Sequence, residues 1–229
     1  MKPRNGTAVG AAFNNKWFNE DVAGSLLLIV CEFPDTRRST RRVLKGCMIP
    51  AGYMAKKVES RPDWLKSDDP RDLYSLSGCI SKYFCDYIPH WKHNGFWFFD
   101  SPAEITAVAA AESLTMSDQT IFYYEVYENQ FDDDRKVWQP FQADKSFKTE
   151  VCAPKAKKLE GFDVVTFSVQ TSPECSPLSC NSLAESIPVN AHCLLPSLEE
   201  AIRLVEGGAF DKSEPGPFRI FAVYSCDAA

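Results

Sequence analysis

The sequence predicts an α+β fold: two degenerate βαβαβ units packed about a pseudo-twofold as one compact body, with a β-rich insertion in the first unit. Three observations predict it: an internal similarity between 94–127 and 190–224, a Ser-capped helix at the same place in each segment, and an apolar-aromatic strand closing both. On one common offset Asn94 meets Asn190, Ser101 meets Ser197 and Glu104 meets Glu200. One further residue of slack brings Val126-Tyr127 onto Val223-Tyr224.

The first unit, 1–128, opens on a strand at 26–32 and carries the insertion over about 34–73. Apolar pieces at 43–49 and 52–58 read as an added hairpin turning at Pro50-Ala51-Gly52. A short helix is expected at 80–88, then a buried strand at 96–99, where four aromatics follow one another. Ser101 as N-cap, Pro102 at the first helical position and Glu104 in the first turn then start a helix over 102–113. Its Ile105, Val108 and Ala109 share one face. A strand at 121–127 closes the unit.

Residues 129–160 read as an aromatic connecting segment, too rich in Val137, Trp138, Phe141 and Phe147 for a free linker. The second unit, 161–229, repeats the order: a strand at 162–169, a Ser/Pro/Cys-rich loop at 170–182, a short helix at 178–187 and an apolar run at 193–195. Ser197 then caps a helix over 198–206 that stops at Gly207-Gly208, and a strand at 218–224 ends the unit.

Composition bounds the function. The 229 residues are 45% hydrophobic and 24% charged, as in ordinary globular proteins. The longest apolar stretch, 26–31, is far too short to cross a bilayer, and residues 1–20 lack the apolar core of a secretory signal. The expectation is a cytoplasmic protein with no membrane contact, its nine cysteines reduced. A net charge of −6 argues against general nucleic-acid binding. The local cluster Arg37, Arg38, Arg41, Arg42 and Lys45 reads as a solvated basic edge, and Asp132, Asp133 and Asp134 as a solvated turn without the glycine and distal glutamate of a calcium loop.

Chemistry, if local, belongs to the 170–182 loop. A thiol in the first turn of the 178–187 helix would face the positive end of the helix dipole, which makes Cys180 the best nucleophile candidate. His192, the one histidine of the second half, is its natural base, with Asn181 or Glu185 to orient the imidazole. The competing reading makes Cys180 a small buried apolar residue and Ser179 a cap. A weaker alternative is a metal held by Cys175, Cys180, His192 and Cys193, whose spacing departs from paired zinc knuckles; the first-half set Cys79, Cys85, His90 and His93 departs likewise. The polar turn around His90, Trp91 and His93 reads as a partner contact.

No phosphate-binding, dinucleotide, zinc-protease or serine-hydrolase motif occurs, and no cofactor is implied. The leading reading is therefore a non-enzymatic binding protein, for instance one that neutralises or regulates a protein partner. It would use Cys175, Ser179, His90, Trp91 and His93 to hold a protein or a small molecule. Its rival is a thiol-dependent hydrolase or transferase with Cys180 as nucleophile and His192 as base.

Overall fold

In chain order the computed structural model, which describes residues 46–79, 93–166 and 175–226, places β1 (Met48–Lys56), β2 (Glu59–Ser60), β3 (Asp72–Leu73), α1 (Pro102–Ala111), β4 (Thr120–Tyr127), β5 (Asn129–Asp132), β6 (Val137–Pro140), β7 (Lys157–Thr166), a 3-10 turn (Leu183–Glu185), α2 (Leu198–Glu206) and β8 (Phe218–Cys226). The fold is mixed α and β, dominated by antiparallel sheet, with two α-helices among the described residues. Among the described residues no helix is long and apolar enough to cross a membrane.

β4 and β8 are β-branched and aromatic over most of their length, the composition of a pleated surface packed on both sides. They pair antiparallel at the centre of the sheet, with β1 outside β4 and β7 outside β8. The β5–β6 hairpin joins the same sheet through Phe131 opposite Phe218. Two apolar clusters fill the body, and each takes one helix. Ile105 and Ala109 of α1 enter the cluster around Tyr53, Phe98, Phe99 and Phe122; Ala201, Leu204 and Val205 of α2 enter the one around Phe162, Leu195, Phe218 and Ile220. Both helices start on an extended serine whose hydroxyl accepts an amide proton three residues on, Ser101 from Glu104 at 3.3 Å and Ser197 from Glu200 at 3.1 Å.

The two outer strands share one irregularity. Each slips register at a glycine with positive φ, Gly52 (+130°) and Gly161 (+150°). A β-bulge sits at each of them. The row Gly52, Tyr124, Val223, Gly161 runs straight across the four strands. Each glycine lies under an asparagine turn. The Asn94 carbonyl accepts from the Phe96 and Phe98 amides at 2.9 and 3.1 Å, and the Asn190 carbonyl from His192 and Leu194 at the same two distances. The Asn94 amide donates to Ala51 O at 3.0 Å and the Asn190 amide to Glu160 O at 2.6 Å. Trp97 and Cys193 take positive φ in the two turns, and Phe99 and Leu195 then bridge to Tyr53 and Phe162. A Cβ at either glycine would fall on its turn: 2.5 Å from Phe99 O at Gly52, and 2.7 Å from the Leu194 Cβ at Gly161.

Several expectations are corrected. The runs at 96–99 and 193–195 are turns rather than strands, because the asparagine side-chain carbonyl captures two alternate amides and leaves one residue in each run to pair. No hairpin turn exists at 50–52; β1 runs through it as one bulged strand. Residues 178–187 form irregular turns and a short 3-10 segment, with Ser182 in the left-handed region, instead of an α-helix. The connecting segment 129–160 supplies β5, β6 and the start of β7 to the sheet, and the Asp132–Asp134 turn is structural: Asp132 accepts from Arg135 N and Asp133 from Gly216 N, both at 3.0 Å. The strand at 26–32, the helix at 80–88 and the basic cluster at 37–45 lie outside the described residues.

Replacing either bulge glycine tests this packing. Gly52→Ala and Gly161→Ala each force a side chain into the left-handed region and onto a turn. Each is expected to lower unfolding free energy by about 2 kcal/mol in urea titration. Gly207→Ala, a change at a helix end with negative φ, should cost much less.

Candidate functional site

The polar chemistry of the described core gathers at the buried ends of β1 and β7. Both strands change from exposed to fully buried at their bulges, so the residues beyond are covered on both faces. There β1 ends in Lys56, 1% exposed, and β7 carries Asp163, fully buried. The Lys56 ammonium donates to three consecutive carbonyls, Ser75 at 2.6 Å, Leu76 at 2.8 Å and Ser77 at 2.9 Å. Asp163 accepts from Leu76 N at 2.8 Å with one oxygen and from the Ser176 hydroxyl at 2.5 Å with the other. The segment 75–77 is thus gripped from its carbonyl side by a cation and from its amide side by an anion.

Against it packs the turn 175–181. The Ser179 hydroxyl donates to Ser75 Oγ at 3.1 Å, and the Cys180 sulfur lies 3.3 Å from Ser77 Oγ. Thr166, the last residue of β7, anchors the start of the turn: its amide donates to Cys175 O at 2.9 Å, and its hydroxyl accepts from Cys175 N at 3.2 Å. Lys56 does not stand out in sequence, since it ends its strand beside Lys57; Asp163, a single charge within the apolar run 162–166, was the one available signal.

Burial sets the proton affinities. It drives Lys56 down to about 7, against the pull of Asp163, Cys180 and Cys79. It lifts Asp163 to about 6, although Ser176, the Leu76 amide and Lys56 favour the charged form. The thiols diverge. A hydrogen bond from Cys175, with help from Ser77 and the Ser176 backbone, holds Cys180 below the usual thiol value in spite of burial. The same hydrogen bond, together with burial, keeps Cys175 protonated. Burial likewise raises Cys79.

The sequence-derived dyad does not assemble. His192 Nδ1 is 2.6 Å from Asp72 Oδ1, its Nε2 is 3.6 Å from Glu160 Oε2, and its ring stacks on Tyr74 at 4.0 Å. No hydrogen bond joins it to Cys180. Asn181 faces Cys175, its carbonyl 3.4 Å from that sulfur, rather than an imidazole. Cys180 also has no α-helix start beneath it, so its thiolate character comes from its thiol and hydroxyl neighbours and not from a dipole. Cys193 is buried inside the Asn190 turn and pushed up to about 12 by that burial. Among the described residues no group of three or more His, Cys, Asp or Glu is arranged to hold a metal, so Cys175, Cys180, His192 and Cys193 do not converge.

The expected binding residues fare unevenly. Cys175 and Ser179 are buried and closed to a macromolecule. His93 is exposed and stacks on Phe99 at 4.2 Å; His90 and Trp91 lie outside the described residues. The sequence reading missed Trp64, 46% exposed on the loop between β2 and β3. No known family, curated protein or solved structure matches the chain.

Two outcomes follow for the Lys56–Asp163 cluster. Lys56→Met removes the donor to three buried carbonyls and the cation nearby that favours charge on Asp163, and should cost about 3–5 kcal/mol of stability. The pH dependence has a definite sign. Between about pH 4 and 6 the folded protein holds a proton on Asp163 that the unfolded chain has released, so the Asp163 contribution falls as pH rises. Between about pH 7 and 10 the unfolded chain holds a proton that folded Lys56 has lost, so the Lys56 contribution grows with pH. The combined contribution has its minimum near pH 6 to 7, and Asp163→Asn should flatten the acid arm in urea titrations across that range.

Proposed function

We propose that the protein is a non-enzymatic, cytoplasmic interaction protein that docks a protein partner through the loop bearing Trp64. The exposure of that indole on a firmly held loop carries the reading. Leu65, next in sequence, is buried and anchors the tip. Lys66 N donates to Glu185 at 3.1 Å, Arg61 N to Arg71 O at 3.1 Å, and Arg71 N to Ala191 O at 2.8 Å. An exposed tryptophan on a preorganised loop is the usual anchor of a protein interface, because little entropy is lost when it docks. Exposed Asp63, Asp68 and Asp69 share the loop with exposed Arg61, Lys66 and Arg71, which favours a partner with an indole pocket and a rim of mixed charge. This loop replaces Cys175 and Ser179 as the recognition element.

The same proposal includes an internal duplication with a pseudo-twofold between Tyr124 and Val223. Its support is the matched pair of asparagine turns, bulge glycines and serine-capped helices. Register counted from the bulges sets Ile121-Phe122 on Ile220-Phe221. On this reading β1, rather than 26–32, is the counterpart of β7, which shrinks the insertion in the first unit.

A photo-crosslinking residue placed at Ser67, on the same loop as the indole, tests the docking role in cells. One defined protein adduct is expected, weakened by salt and reduced at least about tenfold by Trp64→Ala. That substitution should change stability by less than about 0.5 kcal/mol. An adduct pattern indifferent to Trp64 would refute the proposal.

A further inference from the structure

The thiol pair at the edge of the polar cluster has no part in partner docking, and its geometry matches a recognised chemistry. Cys175 and Cys180 bracket one tight turn, in which the Cys175 sulfur lies 3.4 Å from Asn181 Oδ1 and the Cys180 sulfur 3.3 Å from Ser77 Oγ. The Cys180 amide closes the turn on Ser176 O at 2.7 Å, and Thr166 fixes the Cys175 backbone at both its amide and its carbonyl. Cys180 is half-buried, within reach of a small oxidant, whereas Cys175 is buried behind it. Ser77 Oγ accepts from the Cys180 thiol at 3.3 Å and donates its own proton in return once that sulfur is ionised. An accessible sulfur stabilised as thiolate, beside a shielded second thiol, is the arrangement of an attacking and a resolving cysteine.

We infer that Cys180 is a site of oxidation by hydrogen peroxide and that Cys175 resolves it to an intramolecular disulfide. The Cys180 thiolate attacks one peroxide oxygen; the S–O bond forms, the O–O bond breaks, and the departing hydroxide takes a proton to leave as water. The resulting sulfenic acid is attacked by the Cys175 sulfur, which gives up its proton as the S–S bond forms. The S–O bond breaks and the oxygen leaves as a second water. Two thiols lose two electrons, and one peroxide gains them. Both sulfurs belong to one short turn closed by the Cys180 amide on Ser176 O, so the disulfide forms within a single local loop.

Cys79 also interacts with Cys180, and Cys47 and Cys152 are exposed, so the site is defined against real competitors. The experiment treats the reduced full-length protein with about one equivalent of hydrogen peroxide near pH 7, blocks remaining thiols and maps peptides by mass spectrometry. A loss of about 2 Da located in a Cys175–Cys180 crosslink is expected. Cys175→Ser should trap the intermediate, so that dimedone labels Cys180. Cys180→Ser should slow oxidation by at least about tenfold. Iodoacetamide at about pH 6.5 gives a readout free of substitutions: Cys180 of the native protein should be alkylated ahead of the other thiols. A Cys79–Cys180 crosslink, oxidation spread evenly over Cys47, Cys79 and Cys152, or dimedone labelling of native Cys180 as strong as in Cys175→Ser would overturn the assignment. If a serine variant loses its native circular dichroism, the peptide map of the native protein decides alone.

Discussion

Two side chains that are absent govern the architecture. With no Cβ at Gly52 and Gly161, the Asn94 and Asn190 turns can lie directly on the outer strands, and the asparagine amides can reach the carbonyls just before each glycine. The bulge that results re-phases the strand. A pleated strand normally alternates its faces, yet beyond each bulge β1 and β7 are buried at every position, because the turn and its bridging residue cover the face that would otherwise meet water. Lys56 and Asp163 occupy these doubly covered ends. Their burial, and with it their displaced proton affinities, is thus a consequence of the glycines at 52 and 161, a short way back along the same strands.

Buried charges of this kind contribute little net stability and much specificity. A lysine gripping three successive carbonyls and an aspartate gripping the intervening amide admit only one path for the 75–77 segment. That path sets the position of Ser75 and Ser77, and these in turn meet Ser179 and Cys180 from the far end of the chain. An apolar pair at 56 and 163 would leave the backbone of 75–77 without partners, so the ionic grip answers a need of the main chain rather than adding attraction for its own sake.

What was legible in the sequence is what local physics decides. Ser101-Pro102 with Glu104, and Ser197 with Glu200, announce their helices because a capping hydroxyl needs only the next turn of backbone. The runs that became β4 and β8 were equally plain. The stretches at 96–99 and 193–195 misled because their apolar content is right for a strand, while the deciding group, the asparagine carbonyl just before each, competes for the same amides. The serine at 179 looked like a cap for a helix that the chain does not form; its hydroxyl bonds across to Ser75 instead. Lys56 and Asp163 were invisible as a pair, since nothing local links residues so far apart, and Trp64 drew no notice because exposure is a property of the folded surface.

The divergence of the three clustered thiols follows from the same placement. Burial raises Cys79 more than the Ser77 hydroxyl lowers it, and the interaction with Cys180 together with burial raises Cys175, so both remain thiols. Cys180 stands where the Cys175 thiol, the Ser77 hydroxyl and the Ser176 backbone all converge on one sulfur, and this hydrogen bonding outweighs its desolvation. Ser77 is in position only because Lys56 holds its carbonyl, and Cys175 only because Thr166 holds its backbone. The thiolate character of Cys180 therefore rests on the ends of β1 and β7, and through them on the bulges. An imidazole is not needed to explain it, which leaves His192 free to link Asp72 and Glu160 beside the Trp64 loop.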